Sequence, residues 1–154
     1  MAAALLDRMS SAEHIATIDL LRARDFPEAP GRSEAGRAGP GFHIAELRTY
    51  ETAEDDDGTA RDAVEEQYEA ERDALTVLLT ARWGEPHVFS LASAFARVVA
   101  GSGDVPEPWA TLSETVPDVH LWRAEAHWIA LGVARWGGWD ALQLLAVITE
   151  TDPP

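Results

Sequence analysis

The sequence predicts an α+β fold in which N-terminal helices pack on one face of a C-terminal three-stranded antiparallel meander. Three observations point there. A stretch with helical hydrophobic spacing runs from Thr59 to Trp83. From Val119 onward the apolar period changes to two, the period of a strand. Gly137-Gly138 then separates two such runs, as a tight hairpin turn needs positive φ at both central residues. The 154 residues fit one domain, and 46% hydrophobic with 25% charged residues is a globular composition.

Along the chain, residues 1–24 read as a short helical tail. Ser11 caps a helix whose Ile15, Ile18 and Leu21 leave a thin apolar stripe, and Met9 offers an alternative initiator. Residues 25–41 hold Pro27, Pro30, Gly31, Gly36, Gly39, Pro40 and Gly41 and read as a flexible linker. Residues 42–154 then form the α+β domain. Ile44, Leu47 and Tyr50 give a weak helical spacing ahead of the acidic run Glu54-Asp55-Asp56-Asp57. Thr59 with Asp62 resembles a capping box, and Val64, Tyr68, Leu75, Leu78, Leu79 and Trp83 follow at helical intervals. Gly84 supplies a left-handed C-cap and Pro86 blocks continuation. Ser90 caps a shorter helix with Leu91, Phe95, Val98 and Val99 inward, ended by Gly101. Trp109, Leu112 and Val116 share a face of a third helical piece closed by Pro117. The strands follow: Val119 to Arg123, His127 to Trp136, and Trp139 to Thr149.

Charge and composition exclude several functions. Twelve basic residues, all of them Arg, stand against 27 Asp and Glu, giving a net charge of −15. Phosphate backbones repel such a chain, and no basic patch offsets that, so no nucleic acid is expected as partner. The joint absence of Lys and Asn reads as the codon bias of a GC-rich genome. Without Cys there are no disulfides, thiol nucleophiles or thiolate metal sites. The opening residues lack a basic segment followed by an apolar one, so no signal peptide is expected. No apolar run approaches the ~18 residues of a membrane span. These features place the protein in the cytoplasm with no membrane partner.

Two features carry the candidate sites. Between Glu46 and Asp73 the sequence holds twelve acids and three Arg, a net −9. Glu54, Asp55, Asp56, Asp57, Glu65, Glu66 and Glu69 are the candidate partner-binding residues, since clustered charge selects a partner of opposite sign. The plain alternative is a solvated helix face that keeps the chain dissolved. A calcium loop at Asp55-Asp56-Asp57-Gly58 lacks the alternating oxygens and the glutamate at position twelve. The second feature is aromatic, because all six Trp lie between positions 83 and 139. Most are expected to fill the core, and Trp136 and Trp139 to pair across the hairpin. Trp122 and Trp128 fall on adjacent strands, where a shared open face would make a contact platform with Arg123 and Arg135 stacked nearby.

Catalysis and metal binding find little support. The five His have no ligand spacing, and no nucleophile elbow, phosphate-cradling loop or H-E-x-x-H occurs. No catalytic residue, metal ligand or cofactor is therefore assigned.

The run Pro106-Glu107-Pro108-Trp109, His120-Leu121-Trp122-Arg123, Trp128-Ile129-Ala130-Leu131-Gly132-Val133 and Leu144-Leu145-Ala146-Val147-Ile148-Thr149-Glu150 resembles conserved small acidic proteins of high-GC bacteria that have no assigned activity. The likeness is limited to the C-terminal half. It implies a shared fold and brings no site residue with it.

The function expected from these features is a small acidic interaction protein that binds a basic protein through the acidic helix face, with inhibitors or immunity proteins of basic toxins as one realisation. The alternative is a small-ligand-binding protein or enzyme with a Trp-lined pocket. Self-association into a homo-oligomer through a sheet edge or the Trp face is compatible with either.

Overall fold

A computed structural model describes residues 2–51, 59–136 and 141–154. In chain order the elements are α1 (Ala2–Arg22), β1 (Gly31–Arg32), β2 (Gly36–Gly39), β3 (Phe42–Glu51), α2 (Thr59–Trp83), β4 (His87–Ser90), α3 (Ala92–Val99), α4 (Trp109–Ser113), β5 (Asp118–Ala124), β6 (His127–Trp136) and β7 (Ala141–Thr149). The strands form one seven-stranded sheet in the order β1-β2-β3-β7-β6-β5-β4, antiparallel at every pairing. The class is α+β, but the three-stranded meander is overturned. The consecutive run β5-β6-β7 exists and forms only part of a larger sheet.

The extra strands escape hydrophobic patterning for identifiable reasons. In β3, both faces are covered, so Ile44 packs on one side and Leu47 on the other, and their spacing of three says nothing about a helix. A bulge between Glu46 and Arg48 shifts the register against β7 and hides the alternation further. The segment read as a linker supplies β1 and β2, whose Gly, Arg and Ala residues hold their places by backbone pairing, β1 to β2 and β2 to β3. Gly36 marks a close approach, since a Cβ there would lie 2.6 Å from the Ile44 carbonyl oxygen. Finally, β4 is an edge strand of four residues whose side chains are mostly exposed, which leaves no buried stripe to detect.

Helices cover both faces of the sheet, which corrects the expectation of a single helical face. Directly opposed residues share a face, so alternate residues of β6 and β7 point to opposite sides. Ile129, Leu131 and Val133, with Leu142, Leu144, Ala146 and Ile148, join Ile18 and Leu21 of α1 and Tyr68, Leu75 and Leu79 of α2. On the opposite side, Ala130, Ala134, Leu145 and Val147 pack with Leu91, Trp109, Leu112 and Val116. Both layers therefore depend on the same two central strands, which are apolar on both faces. In β6, Gly132 is needed because a Cβ would meet Val116 Cγ1 at 2.7 Å.

The helices also differ in detail from their sequence patterns. Leu78 is partly turned to solvent while Leu75 and Leu79 are fully buried. In α3 only Ala94 is buried, and Phe95 and Val99 are exposed. Leu91 is its N-cap residue, with the Ser90 hydroxyl accepting the Ala92 N–H at 3.2 Å. The Gly-Gly turn and Trp139 lie outside the described residues, as does the Thr59 side chain in the expected capping box.

Candidate functional site

The α3–α4 layer covers the sheet incompletely. A groove of about 730 Å³ opens between the ribbon of β1, β2 and β3 and the start of α4 with the segment leading into it. Its apolar surface comes from Pro30, Pro40, Ala38, Phe42 and Ile44. Polar groups come from Arg32 and Arg37 on the ribbon and from Glu107 and Thr111 beside α4. This volume lies in the range of small-molecule sites, as does the combination of apolar lining with few polar groups.

The position of α4 fixes one wall. Trp109 is fully buried, and its indole N–H donates to the Thr151 carbonyl at 3.1 Å. Glu107 Oε2 accepts the Thr111 N–H at 3.2 Å, so this carboxylate caps the short helix. The other wall is the twisted ribbon, where Phe42 packs so closely that a Cβ on Gly39 would lie 2.6 Å from its ring.

A hydrogen-bonded chain orders the two guanidinium groups. Arg32 pairs with Glu46 at 2.7 Å. The Gln143 amide donates to Glu46 Oε2 at 3.2 Å and to Thr49 Oγ1 at 3.3 Å, while its oxygen accepts the Trp136 indole N–H at 2.9 Å. These contacts use both amide N–H groups and one lone pair of the oxygen, and so fix the amide's orientation and the indole plane. Arg37 lies over the Trp136 ring, 5.9 Å from its centroid. Among the described residues Arg37 makes no ion pair. Arg32, Arg37, Glu46, Trp136 and Gln143 also line a shallower depression of about 270 Å³ that continues the groove along the sheet. The large groove itself has no Trp in its lining, and Trp136 stands at this continuation.

The acids singled out in sequence are distributed differently from a single front. Glu54, Asp55, Asp56 and Asp57 lie outside the described residues. Glu65 and Glu69 turn toward the sheet, where Arg135 of β6 pairs with Glu65 and lies 3.6 Å from Glu69. Glu71 pairs with Arg48 of β3 in the same way. Arg48 also lies over the Tyr68 ring at 5.4 Å, and burial pushes the Tyr68 phenol above its ordinary value. Arg72 contacts Asp73 at 3.1 Å and Asp118 at 3.9 Å. Glu66, Asp62 and Asp73 are exposed.

The two candidate Trp residues do not share a face. Register pairs Trp122 with Ile129 and Arg123 with Trp128, so the indoles point to opposite sides of the sheet. Trp122 is buried beneath Trp83, and its N–H donates to the Gly84 carbonyl at 2.9 Å. Trp128 is half-buried, hydrogen-bonds Asp152 at 3.0 Å and carries Arg123 over its ring at 5.0 Å. Arg135 does not stack on them but turns to α2.

Arg32 and Arg37 went unread because they lie in the Pro/Gly-rich stretch. Their signal was the placement of two cations five residues apart among small residues in an acidic chain. Among the described residues, no three His, Asp or Glu side chains converge as a metal site would require, and no helix is long and apolar enough to cross a membrane. Comparisons with protein-family models, with curated proteins and with solved structures find no match to this chain.

Proposed function

We propose that this protein binds a small organic molecule in the groove between the β1–β3 ribbon and α4. The groove of about 730 Å³ carries this reading, because an apolar floor with a few ordered polar groups fits ligand binding better than surface packing. The Gln143 network supports it, since it holds Trp136 and its neighbours in place before any ligand arrives.

Gly31 offers a clean test. Gly31 lines the groove, and a Cβ there would meet nothing within 4 Å, so a side chain can start from it without a backbone clash. Screening a fragment library by thermal shift should give compounds that raise the melting temperature of the wild type. Gly31→Trp should fold with an unchanged melting temperature and lose those responses. Responses that persist in this variant, or none in the wild type, defeat the proposal.

A second reading keeps the acidic face. Asp62 and Glu66 are exposed on α2 and are placed to meet a basic protein partner in the cytoplasm, of the inhibitor or immunity type, with Asp73 beside them already paired with Arg72. Its support is weaker, since Arg135 and Arg48 already answer Glu65, Glu69 and Glu71. Capture of basic proteins from lysate that weakens steeply with salt, and with Glu66→Arg, would favour it.

A further inference from the structure

We infer that the groove selects a monocarboxylate with an apolar body, and that Arg37 is the residue that recognises its charge. This rests on the ligand-binding reading above and adds the chemical class.

Two of the charged groups lining the groove are already engaged. Arg32 is paired with Glu46 at 2.7 Å, and the Glu107 carboxylate accepts a helix amide from Thr111. Arg37 is half-buried, lines both parts of the groove, and has no ion-pair partner among the described residues. A partly desolvated guanidinium without a counterion loses solvation that a bound anion restores. Its place over the Trp136 ring, 5.9 Å from the centroid, restrains a guanidinium whose paired N–H groups match the two oxygens of a carboxylate. Phe42, Ile44, Pro30 and Pro40 then offer the rest of the ligand an apolar bed.

Charge also limits the class. One unpaired cation balances one negative charge, so a phosphate dianion would bring an excess into a chain of net −15. The acids of α2 lie on the opposite side of the sheet from this groove, and salt screens charges beyond a Debye length of ~8 Å. Of the carboxylates lining the groove and its continuation, Glu46 is paired with Arg32, Glu107 caps α4, and Glu51 adds a like charge that favours a ligand with a single negative charge. A monoanion can therefore approach Arg37 despite the overall charge.

The test is calorimetric titration with 2-naphthoate, its methyl ester and 2-naphthylmethylamine. The protein variants are wild type, Arg37→Gln and Arg32→Gln, with melting temperatures confirming that each folds. Wild type should bind naphthoate about tenfold to a hundredfold more tightly than the ester, the range of a charge-assisted hydrogen bond. The amine should bind most weakly. Arg37→Gln should abolish the preference for acid over ester while ester affinity stays within a factor of about three. Arg32→Gln should retain the preference. Equal binding of acid and ester by wild type overturns the anion inference and leaves the groove as a ligand site. A preference that survives Arg37→Gln overturns the assignment to that residue. No binding of any of the three overturns both this inference and the ligand-binding reading.

Discussion

Arg135 shows how one side chain redirects an acidic helix. It rises from β6 toward α2, pairs with Glu65 and lies near Glu69, so acids that would otherwise repel each other help fasten the helix to the sheet. The Glu65 side chain is only 14% exposed, so losing its cation leaves a carboxylate with poor access to water. Arg135→Gln should therefore destabilise the fold by about 1–3 kcal/mol in urea denaturation. Adding Glu65→Gln should restore part of the loss, because the second change removes the stranded charge; an additive further loss would contradict this. Trp122 makes a second test at this scale. It is 2% exposed and its indole hydrogen bond closes the end of α2 at Gly84, so Trp122→Ala should cost about 3–5 kcal/mol. A loss below ~1 kcal/mol would show that the ring is not part of the core. The indoles were legible as large apolar residues, but their faces were not. A shift of one residue in hairpin register reverses every face, and register is set by the turn after Ala124 rather than by the Trp residues.

At the scale of elements, the sheet divides into strands that advertise themselves and strands that do not. In β6 and β7, near-continuous apolar runs with β-branched residues, bounded by turn residues, made these strands readable from sequence, and β5 carries a shorter apolar run. The ribbon of β1 and β2 buries little side-chain area, so hydrophobic pattern has nothing to report there. What holds it is backbone pairing to β3 and the absence of a Cβ at Gly36. The groove was illegible for the same reason, since one wall is this ribbon and the other is a short helix distant in sequence. Gly36→Ala tests the connection. The added carbon would lie 2.6 Å from the Ile44 carbonyl, a backbone atom that cannot move without shifting the ribbon. Amide hydrogen exchange should accelerate in β1 and β2 while β5 to β7 remain protected, and groove ligands should bind more weakly. Uniform acceleration across all strands would mean that the ribbon is not a separate unit.

At the scale of the molecule, the sheet bears helices on both faces, and the face covered by α1 and α2 encloses two histidines whose charge the fold opposes. His14 on α1 and His120 on β5 are both held below the ordinary value of 6.5, in each case mainly by burial. At His14, Arg48 adds to this and Glu13 opposes it. At His120, Arg72 adds to it while Asp73 and Asp118 oppose it, and Nδ1 lies 2.8 Å from the Thr76 hydroxyl. The consequence for stability has a definite sign. Between the depressed native values and 6.5 the unfolded chain binds more protons than the folded one, so falling pH favours unfolding. The contribution is fully present above 6.5 and is lost as pH falls through the folded values. The melting temperature should therefore decline from about pH 7 toward about pH 5, before most carboxylates begin to protonate. His14→Gln and His120→Gln should each flatten that decline, and the double variant should flatten it more than either. Gln at position 120 keeps a polar partner for Thr76, so the comparison isolates the titration from the hydrogen bond. A decline of unchanged steepness in the double variant would place the acid sensitivity elsewhere. Groove occupancy provides an independent handle. A carboxylate ligand bound there should raise the melting temperature by a nearly constant amount between about pH 7 and about pH 5.5, since its own charge is retained above ~4.5. The histidine effect is a property of the helical layer on one face and the ligand effect a property of the open groove on the other, so the two should add.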